Sequence, residues 1–566
     1  MTKSRAIGVF DFETDPFEHG AEIKPFCGGF YDGQTYADFW EDGVSDPVDW
    51  LCTYLESRKK PMIVYAHNGG KFDFMFLLKK KKLGSNVLII NGRIVKCYVG
   101  IHELRDSYAI LPVALDKFEK QEIDYGKFKK QRRNAHRIEI LDYLKSDCLN
   151  LFAFVYAFVE RFGTKITIGA TAMHQLGKTV PIIRLDKEHD EKFRPFYFGG
   201  RVQCFEYGEL RGKYKVYDVN SMYPAVMKNA MHPMGSKYVY VSGAGANKEF
   251  IRASGKLRNF GDSVYFMRFL GAHKGCLPTR TKNAGLSFEP AEGEFYACSH
   301  EIKAGVELGL IRVDEVLELH IPCSYQNFAA YVDKYSAEKI AAKAAGDKAA
   351  EQFAKLLLNS AYGKFATNPE NFQEWFLRDR TDDACEQAFL VWLGNNNDLD
   401  DLDPYKAKPE IDMGTLEIWA RKATPKENAY FDVACAASIT SAARAVLMRA
   451  IAGAYRPIYC DTDSLICEGL GAGVPIDRAA LGAWKLEEEP DTIYIAGRKL
   501  YACFKDGEPV KVASKGAKLS PQEIARLTKG EVIAWESEAP NFKMDGRTMY
   551  VKRNIRARYK IDAQNA

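Results

Sequence analysis

Two stretches place carboxylates at alternate positions, "DFETD" from Asp11 and "YCDTDS" around Asp461 and Asp463. Neighbouring acids raise the cost of ionising one another, so such a pair is either an exposed turn or a ligand set for a multivalent cation. The first stretch ends an apolar run, Ala6–Phe12, that reads as a buried strand, and a period of two turns Asp11 and Glu13 to one face. A second apolar strand, Met62–His67, runs into "NGGKFD", whose paired glycines permit a tight path to Asp73. Further on, "RIEILDYLKSDCLNLFAFVYAFVERFG" predicts an amphipathic helix from about Arg137 to Phe162, on which Tyr143 and Asp147 share a face. Asp11, Glu13, Asp73 and Asp147 gathered at strand ends repel one another unless divalent metals neutralise them. Hard cations such as Mg²⁺ take carboxylate oxygens, and two of them about 4 Å apart clamp the attacking and leaving oxygens of phosphoryl transfer, with Tyr143 placed to orient a water.

The second set needs its own scaffold. "KYKVYDVNSMYP" contains an apolar strand, Tyr214–Val219, that carries Asp218 and ends in a turn with Pro224. In "PIYCDTDSLIC" the flanks are strand-like and the acids form the tip of a tight hairpin; with Asp218 opposite, three carboxylates surround two cations. Between them, Gly346–Asp347 breaks a helical pattern, and Asp347 can cap a new helix from about Lys348 to Tyr362. Lys355, Asn359 and Tyr362 line one face of that helix. An ammonium, an amide and a ring in one stripe suit a triphosphate better than a core, and Lys343, ending the preceding helix, can meet the same phosphates.

The 566 residues exceed what one hydrophobic core usually serves, so two to four domains are expected. Net charge is only +4, but basic runs recur at Lys79–Lys82, Lys127–Arg137 and Val551–Lys560, and three such runs favour a polyanion partner. The acidic stretch "NNNDLDDLDP" (Asn395–Pro404) would repel phosphate and is expected to face solvent. The 13 cysteines include no CxxC pair, which predicts reduced, buried thiols in a cytosolic protein, with neither a zinc site nor a disulfide framework. The start reaches charged residues too early for a signal peptide, and no apolar run reads as long enough to span a membrane.

"DVNSMYP", "KLLLNSAYG" and "YCDTDS", in this order, resemble motifs A, B and C of family B DNA polymerases, while "YFGG" (Tyr197–Gly200) and "KLY" (Lys499–Tyr501) are similar to the YxGG and KxY motifs of its protein-primed branch. "DFETDPF", "YAHNGGKFDF", "RDSYAILPV" and "RPFYFGGR" extend the likeness to tectivirus polymerases over essentially the whole chain. The resemblance implies an α/β multidomain fold, an RNase H-like 3′–5′ exonuclease domain followed by a right-hand polymerase. It implies that Asp11, Glu13, Asp73 and Asp147 hold exonuclease metals, that Thr14, Asn68, Phe72 and Ser107 hold a single-stranded 3′ end, and that Lys117 or Lys120 meets the scissile phosphate. The doubled glycine in "HNGGKFD" departs from relatives with one residue there and lengthens the turn between Asn68 and Asp73. In the polymerase half, Asp218 and Asp463 would ligate two Mg²⁺ ions (Mn²⁺ can substitute), with Asp461 assisting and the Val219 carbonyl on the nucleotide metal. Tyr223 would exclude a 2′-hydroxyl; Lys343, Lys355, Asn359, Tyr362 and Ser221 would bind the deoxynucleoside triphosphate. Tyr197, Gly199 and Gly200 would touch template, and Lys499 and Tyr501 would steady the primer end.

The long separations between motifs should be ordered subdomains. The resemblance divides the chain into an exonuclease domain at 1–165, linker and palm at 166–227, a terminal-protein-docking insertion at 228–324, fingers at 325–368, a strand-displacement and processivity insertion at 369–428, palm at 429–518 and a thumb at 519–566. The thumb opens on a capping box at Ser520–Glu523 and ends in a basic stretch interleaved with Tyr550 and Tyr559. Implied partners are template and primer DNA, deoxynucleotides and a terminal protein that supplies the priming hydroxyl in a heterodimer, in a host cytoplasm. Two other classes compete: a dedicated nuclease whose C-terminal half only holds DNA, and a non-catalytic replication scaffold. Two complete carboxylate sets speak against both.

Overall fold

The computed structural model describes residues 5–18, 21–113, 121–254, 264–281, 285–394, 408–423, 431–516, 518–544 and 547–559. Lys117, Lys120 and the acidic stretch Asn395–Pro404 lie outside them. Ala6–Thr14 is a strand that pairs parallel with Met62–Ala66, which in turn pairs parallel with His102–Asp106. Side-chain alternation splits these strands between two cores. Val9, Ile63 and Tyr65 face the helix Arg137–Phe162, whereas Phe10, Phe12, Val64 and Ala66 face the helices Pro47–Glu56 and Asp73–Lys79. Both faces are covered, which is why the strands read as unbroken apolar runs.

This sheet does not end within the N-terminal part. Gln373–Asp379, far along the chain, adds antiparallel to Asn86–Ile90 and is followed by Leu416–Lys422 and Ile411–Asp412, giving ten strands in one sheet. Leu377, Leu416 and Ile418 sit in the same core as Phe10 and Val64. The second insertion is therefore built onto the N-terminal unit.

The second half is organised on a five-stranded sheet in the order Trp484–Glu488, Lys215–Val219, Ser464–Leu470, Ala454–Asp461, Val202–Cys204. The helices Met222–Asn229 and Val433–Gly453 pack beside it. Val433–Gly453 corrects the expectation that no segment has the length and apolarity to cross a membrane. It has both, but it is mostly buried inside the fold, where an all-round apolar helix belongs to the core. The first insertion is a four-stranded antiparallel sheet, Tyr238–Ser242, Ile311–Pro322, Phe266–His273 and Ala291–Cys298, with the helix Ser299–Glu307 and a small hairpin, Thr279–Arg280 with Leu286–Ser287. Two helices, Ala329–Ala344 and Lys348–Phe365, form the finger-like pair; Gly346 turns the chain at φ +72° and Asp347 accepts from the Ala350 N–H at 2.9 Å. A four-stranded sheet, the capped helix Pro521–Thr528 and the long hairpin Ile533–Phe542/Thr548–Ala557 close the chain. All 13 cysteines are free thiols and all but Cys323 are buried.

The run Lys79–Lys82 also departs from expectation, because its charges are spent within the protein. Lys79 pairs with Glu22, Lys80 with Asp46 and Asp49, Lys81 with Asp379, and Lys82 with Asp49. Lys127 and Arg133 of the second run pair with Glu139 and Glu41. The first run is thus spent on internal ion pairs, while in the second Arg132 and Arg137 stay exposed.

Two candidate carboxylate sites

In the N-terminal unit Asp11 and Glu13 leave the strand on one side, and Asp147 comes down from the helix Arg137–Phe162, so that ligand oxygens of the three lie within 4.8 Å of one another. The helix approaches because the partner strand has glycines there. A β-carbon on Gly28 would stand 2.8 Å from the Phe12 ring, and one on Gly29 3.1 Å from Leu144 and 3.2 Å from Cys148 Sγ. Asp73, the first residue of its helix, is fully buried; the Phe12 N–H donates to its Oδ1 at 3.3 Å, and Oδ2 has no hydrogen-bond partner among the described residues. Burial, then the charge of Asp11, pushes the Asp73 carboxyl well above the usual range. A buried, half-satisfied carboxyl behind three clustered ones is costly unless cations are shared, and an all-oxygen set fits a hard divalent ion. Tyr143 lies beside them, its hydroxyl 3.2 Å from that of Tyr125 and its phenol pushed up by burial and by Glu13.

The residues expected to hold a single strand are more engaged than their sequence suggests. Asn68 sits in the left-handed region at φ +59° and accepts from Arg93 Nη1 at 2.8 Å, while Arg93 also pairs with buried Asp106 at 2.5 Å. Ser107 is buried with its hydroxyl 3.0 Å from His67 Nδ1, and Thr14 is buried at a bulge. Phe72 lies edge-on to Phe76 and to Phe542 of the C-terminal hairpin. The doubled glycine has a steric cause at its second member. A β-carbon on Gly70 would fall 2.0 Å from the Ile94 carbonyl oxygen, and the Gly70 N–H donates to Asp106 at 3.2 Å.

In the second half Asp218 stands opposite Ser464 in an antiparallel pair, and the Val219 N–H donates to the Asp463 carbonyl at 2.7 Å. This locks the strand bearing Asp218 to the tip of the DTD hairpin. Thr462 occupies the tip at φ +58°, and its N–H donates to the Arg201 carbonyl at 2.7 Å. Burial, then Asp463 and Glu487, pushes the Asp218 carboxyl up to about 6; burial and Asp461 raise Asp463 as well. Asp461 is treated differently. Lys499 Nζ straddles its two oxygens at 2.7 and 2.6 Å, and the Tyr459 hydroxyl donates to it at 3.3 Å while accepting from the Lys499 N–H. Asp218 and Asp463 are thus the strained pair, suited to a shared cation, and Asp461 has an ammonium of its own.

A family description, "DNA polymerase type B, organellar and viral", matches residues 117–468. The DNA-directed DNA polymerase of Enterobacteria phage PRD1 is 40% identical over 588 aligned positions, covering 97% of this chain and 98% of that protein. The chain belongs to the type B DNA polymerases. The DNA polymerase of Bacillus phage phi29 is 24% identical across 68% of this chain. Its ternary complex with primer-template DNA and incoming nucleotides superposes with a TM-score of 0.71 at 18% identity, covering 98% of this chain and all of that one.

Within this type B polymerase, the helices Met222–Asn229 and Lys348–Phe365 meet through two tyrosines. The rings of Tyr223 and Tyr362 stack with centroids 3.8 Å apart and planes 12° from parallel. Asn359 and Lys355 are exposed about one and two turns earlier, and Lys343 is exposed on the facing helix. Ser221 precedes the palm helix in the left-handed region, at φ +54°. Tyr501 is buried against Tyr459 at 4.9 Å, so it packs beneath the hairpin strand. The half-buried Tyr197 and the Gly199 carbonyl are held by arginines, and a β-carbon on Gly200 would meet Thr462 Oγ1 at 2.7 Å. Three residues of the polymerase sites escaped the sequence reading. Lys339, one turn before Lys343, has its ammonium pKa lowered by burial and by Lys355 and Lys343; the i, i+4 spacing in "EKIAAK" was its signal. Glu487, held by Lys511 at 2.6 Å and Lys485 at 3.0 Å, faces Asp218 from the neighbouring strand. Tyr125, hydrogen-bonded to Tyr143, had no local signal.

Proposed function

We propose that the chain is a protein-primed, DNA-directed DNA polymerase with a 3′–5′ proofreading exonuclease, replicating a linear phage or plasmid genome in the cytoplasm of its host. The observations that carry this reading lie on two different sheets: a carboxylate cluster of Asp11, Glu13 and Asp147 on one, and on the other a strand pairing that sets Asp218 beside the DTD hairpin, where the charge of Asp463 acts on it. Asp218, Asp463 and the Val219 carbonyl would hold divalent cations in the palm, and Asp11, Glu13, Asp73 and Asp147 would hold them in the exonuclease, Mg²⁺ being the ion that carboxylate oxygens suit. Such ions, when bound, supply charge neutralisation for attacking and leaving oxygens of phosphoryl transfer.

The chain's own residues do the rest. Lys339, Lys343 and Lys355 gather the triphosphate, and the Tyr223 ring, stacked on Tyr362, leaves no room for a 2′-hydroxyl. Lys499 holds Asp461 and so fixes the hairpin that carries Asp463. In the exonuclease, Tyr143, tied to Tyr125, orients the water, and Phe72 stacks on the terminal base. The first insertion docks the terminal protein in a heterodimer, and the second, joined to the exonuclease sheet, walls the template path. The relative in phage PRD1 and the phi29 complex with primer-template and nucleotides support this assignment.

The test is a labelled primer–template with Mg²⁺, with and without deoxynucleotides. Extension with nucleotides and 3′ shortening without them is expected. Shortening alone would leave a nuclease that merely holds DNA, and neither activity would leave a scaffold. A terminal protein is tested by adding the candidate protein and one labelled deoxynucleotide, which should give a covalent nucleotidyl–protein product.

A further inference from the structure

The small hairpin of the first insertion and the residue just past it touch two segments beside the DTD tip, the 194–201 turn and Arg498. Arg280 lies over the Phe198 ring at 4.2 Å and donates to the carbonyls of Tyr197 at 2.8 Å, Pro195 at 3.1 Å and Arg194 at 3.4 Å. Phe288, just past the hairpin, lies under the Arg201 guanidinium at 4.9 Å, and the Arg201 carbonyl accepts from Thr462 at the tip between Asp461 and Asp463. The Leu286 carbonyl accepts from Arg498 at 3.1 Å, next to the lysine that grips Asp461. A second connection runs behind them. Glu301, on the insertion's helix, makes a fully buried bidentate pair with Arg444 at 2.7 Å, and Arg444 donates to the Phe198 and Gly199 carbonyls at 2.6 and 2.8 Å.

We propose that the paired strands Thr279–Arg280 and Leu286–Ser287 of the first insertion are a positioning element for nucleotidyl transfer, holding the 194–201 turn and, through it and Arg498, the DTD tip. The idea rests on the polymerase reading above. Its physical basis is that five carbonyls of one turn are held by two guanidiniums, whose planar forks fix direction as well as distance, where a lysine supplies only a point charge. A turn so held leaves Gly200 against Thr462 and gives the hairpin tip one position. Displacing it by a fraction of an ångström moves Asp463 relative to Asp218, and misplacement on that scale is costly in phosphoryl transfer. The insertion is then part of the machinery of elongation as well as a platform for whatever binds its outer face.

The experiment uses the full chain and Arg280→Ala, Arg280→Lys and Arg498→Ala, none of which removes a buried residue. Single-nucleotide addition is measured at varied deoxynucleotide concentration, together with shortening of a single strand without nucleotides and the melting temperature. The proposal expects kcat for addition to fall roughly tenfold or more with a small change in KM, melting and single-strand shortening as in the native chain, and no rescue by lysine at position 280. Addition at the native kcat in both alanine variants would overturn it, as would full rescue by lysine. Failure of the native chain itself to add nucleotides would instead sink the polymerase reading, so the two failures are separable.

Discussion

Gly200 and Thr462 meet so closely that only a hydrogen fits between them, and this pair decides where the DTD tip rests. Replacing Gly200 by alanine puts a β-carbon 2.7–2.8 Å from the ends of the Thr462 side chain and 3.2 Å from its β-carbon, so Thr462 must shift. We expect Gly200→Ala to slow nucleotide addition by about 100-fold while single-strand shortening continues. Adding Thr462→Gly should recover much of the loss, since glycine also accepts the φ of +58° found there. Undiminished addition by Gly200→Ala would show that the contact sets nothing. Residue types and spacing made the carboxylates legible, because a period of two or four projects side chains from one element to one face. The Lys499–Asp461 clamp was not legible. It joins residues on different strands, and a lone lysine in a turn carries no periodic signal.

Elements were the most readable level where each was locally consistent. The helix Arg137–Phe162 and the capped helices at Asp347 and Ser520 follow from apolar spacing and capping chemistry. Junctions between elements were not readable. His232 and His300, both within the 228–324 stretch, share the hydroxyl of Ser438 on the helix Val433–Gly453 at 2.9 and 3.1 Å, with Lys303 and Arg449 as the nearby cations. Burial pushes the two imidazoles down to about 4 and about 3, against about 6.5 in an unfolded chain. Below about 6.5 the unfolded state therefore takes up two protons that the folded state refuses, and stability falls as pH drops toward 4. Asp432, whose carboxyl burial raises to about 7, works in the opposite sense and offsets one of the two. Each of the two histidines by itself contributes a loss of about 1.4 kcal/mol per pH unit below 6. Between pH 7 and pH 5 the melting temperature of the native chain should lose ground relative to that of His300→Gln, which lacks one of the two refused protons. Equal slopes in the two proteins would contradict the assignment.

At the scale of the whole molecule, the N-terminal unit receives both the strand Gln373–Asp379 and the C-terminal hairpin. Gln373–Asp379 extends its sheet, and the C-terminal hairpin reaches it through the Ile23 N–H bonded to the Thr548 carbonyl at 2.6 Å and through Phe542 against Phe72 and Phe76. No sequence signal announces contacts between segments hundreds of residues apart, and the lysine run that looked like a DNA-binding patch is instead part of this joinery. An edge-on ring pair is worth about 1 kcal/mol, so Phe542→Ala should loosen Phe72 and slow single-strand shortening about fivefold, with addition on a duplex primer unchanged. Native shortening in that variant would mean that the C-terminal hairpin does not brace the site around Asp11 and Glu13.

The central claim is that two separate carboxylate clusters do two separate chemistries. It is tested most directly on one labelled primer–template with Mg²⁺ by comparing Asp461→Ala/Asp463→Ala with Asp11→Ala/Glu13→Ala. The account predicts that the first double variant shortens the primer and never extends it, while the second extends it and never shortens it. Loss of both activities in either variant, with its melting temperature preserved, would contradict the division.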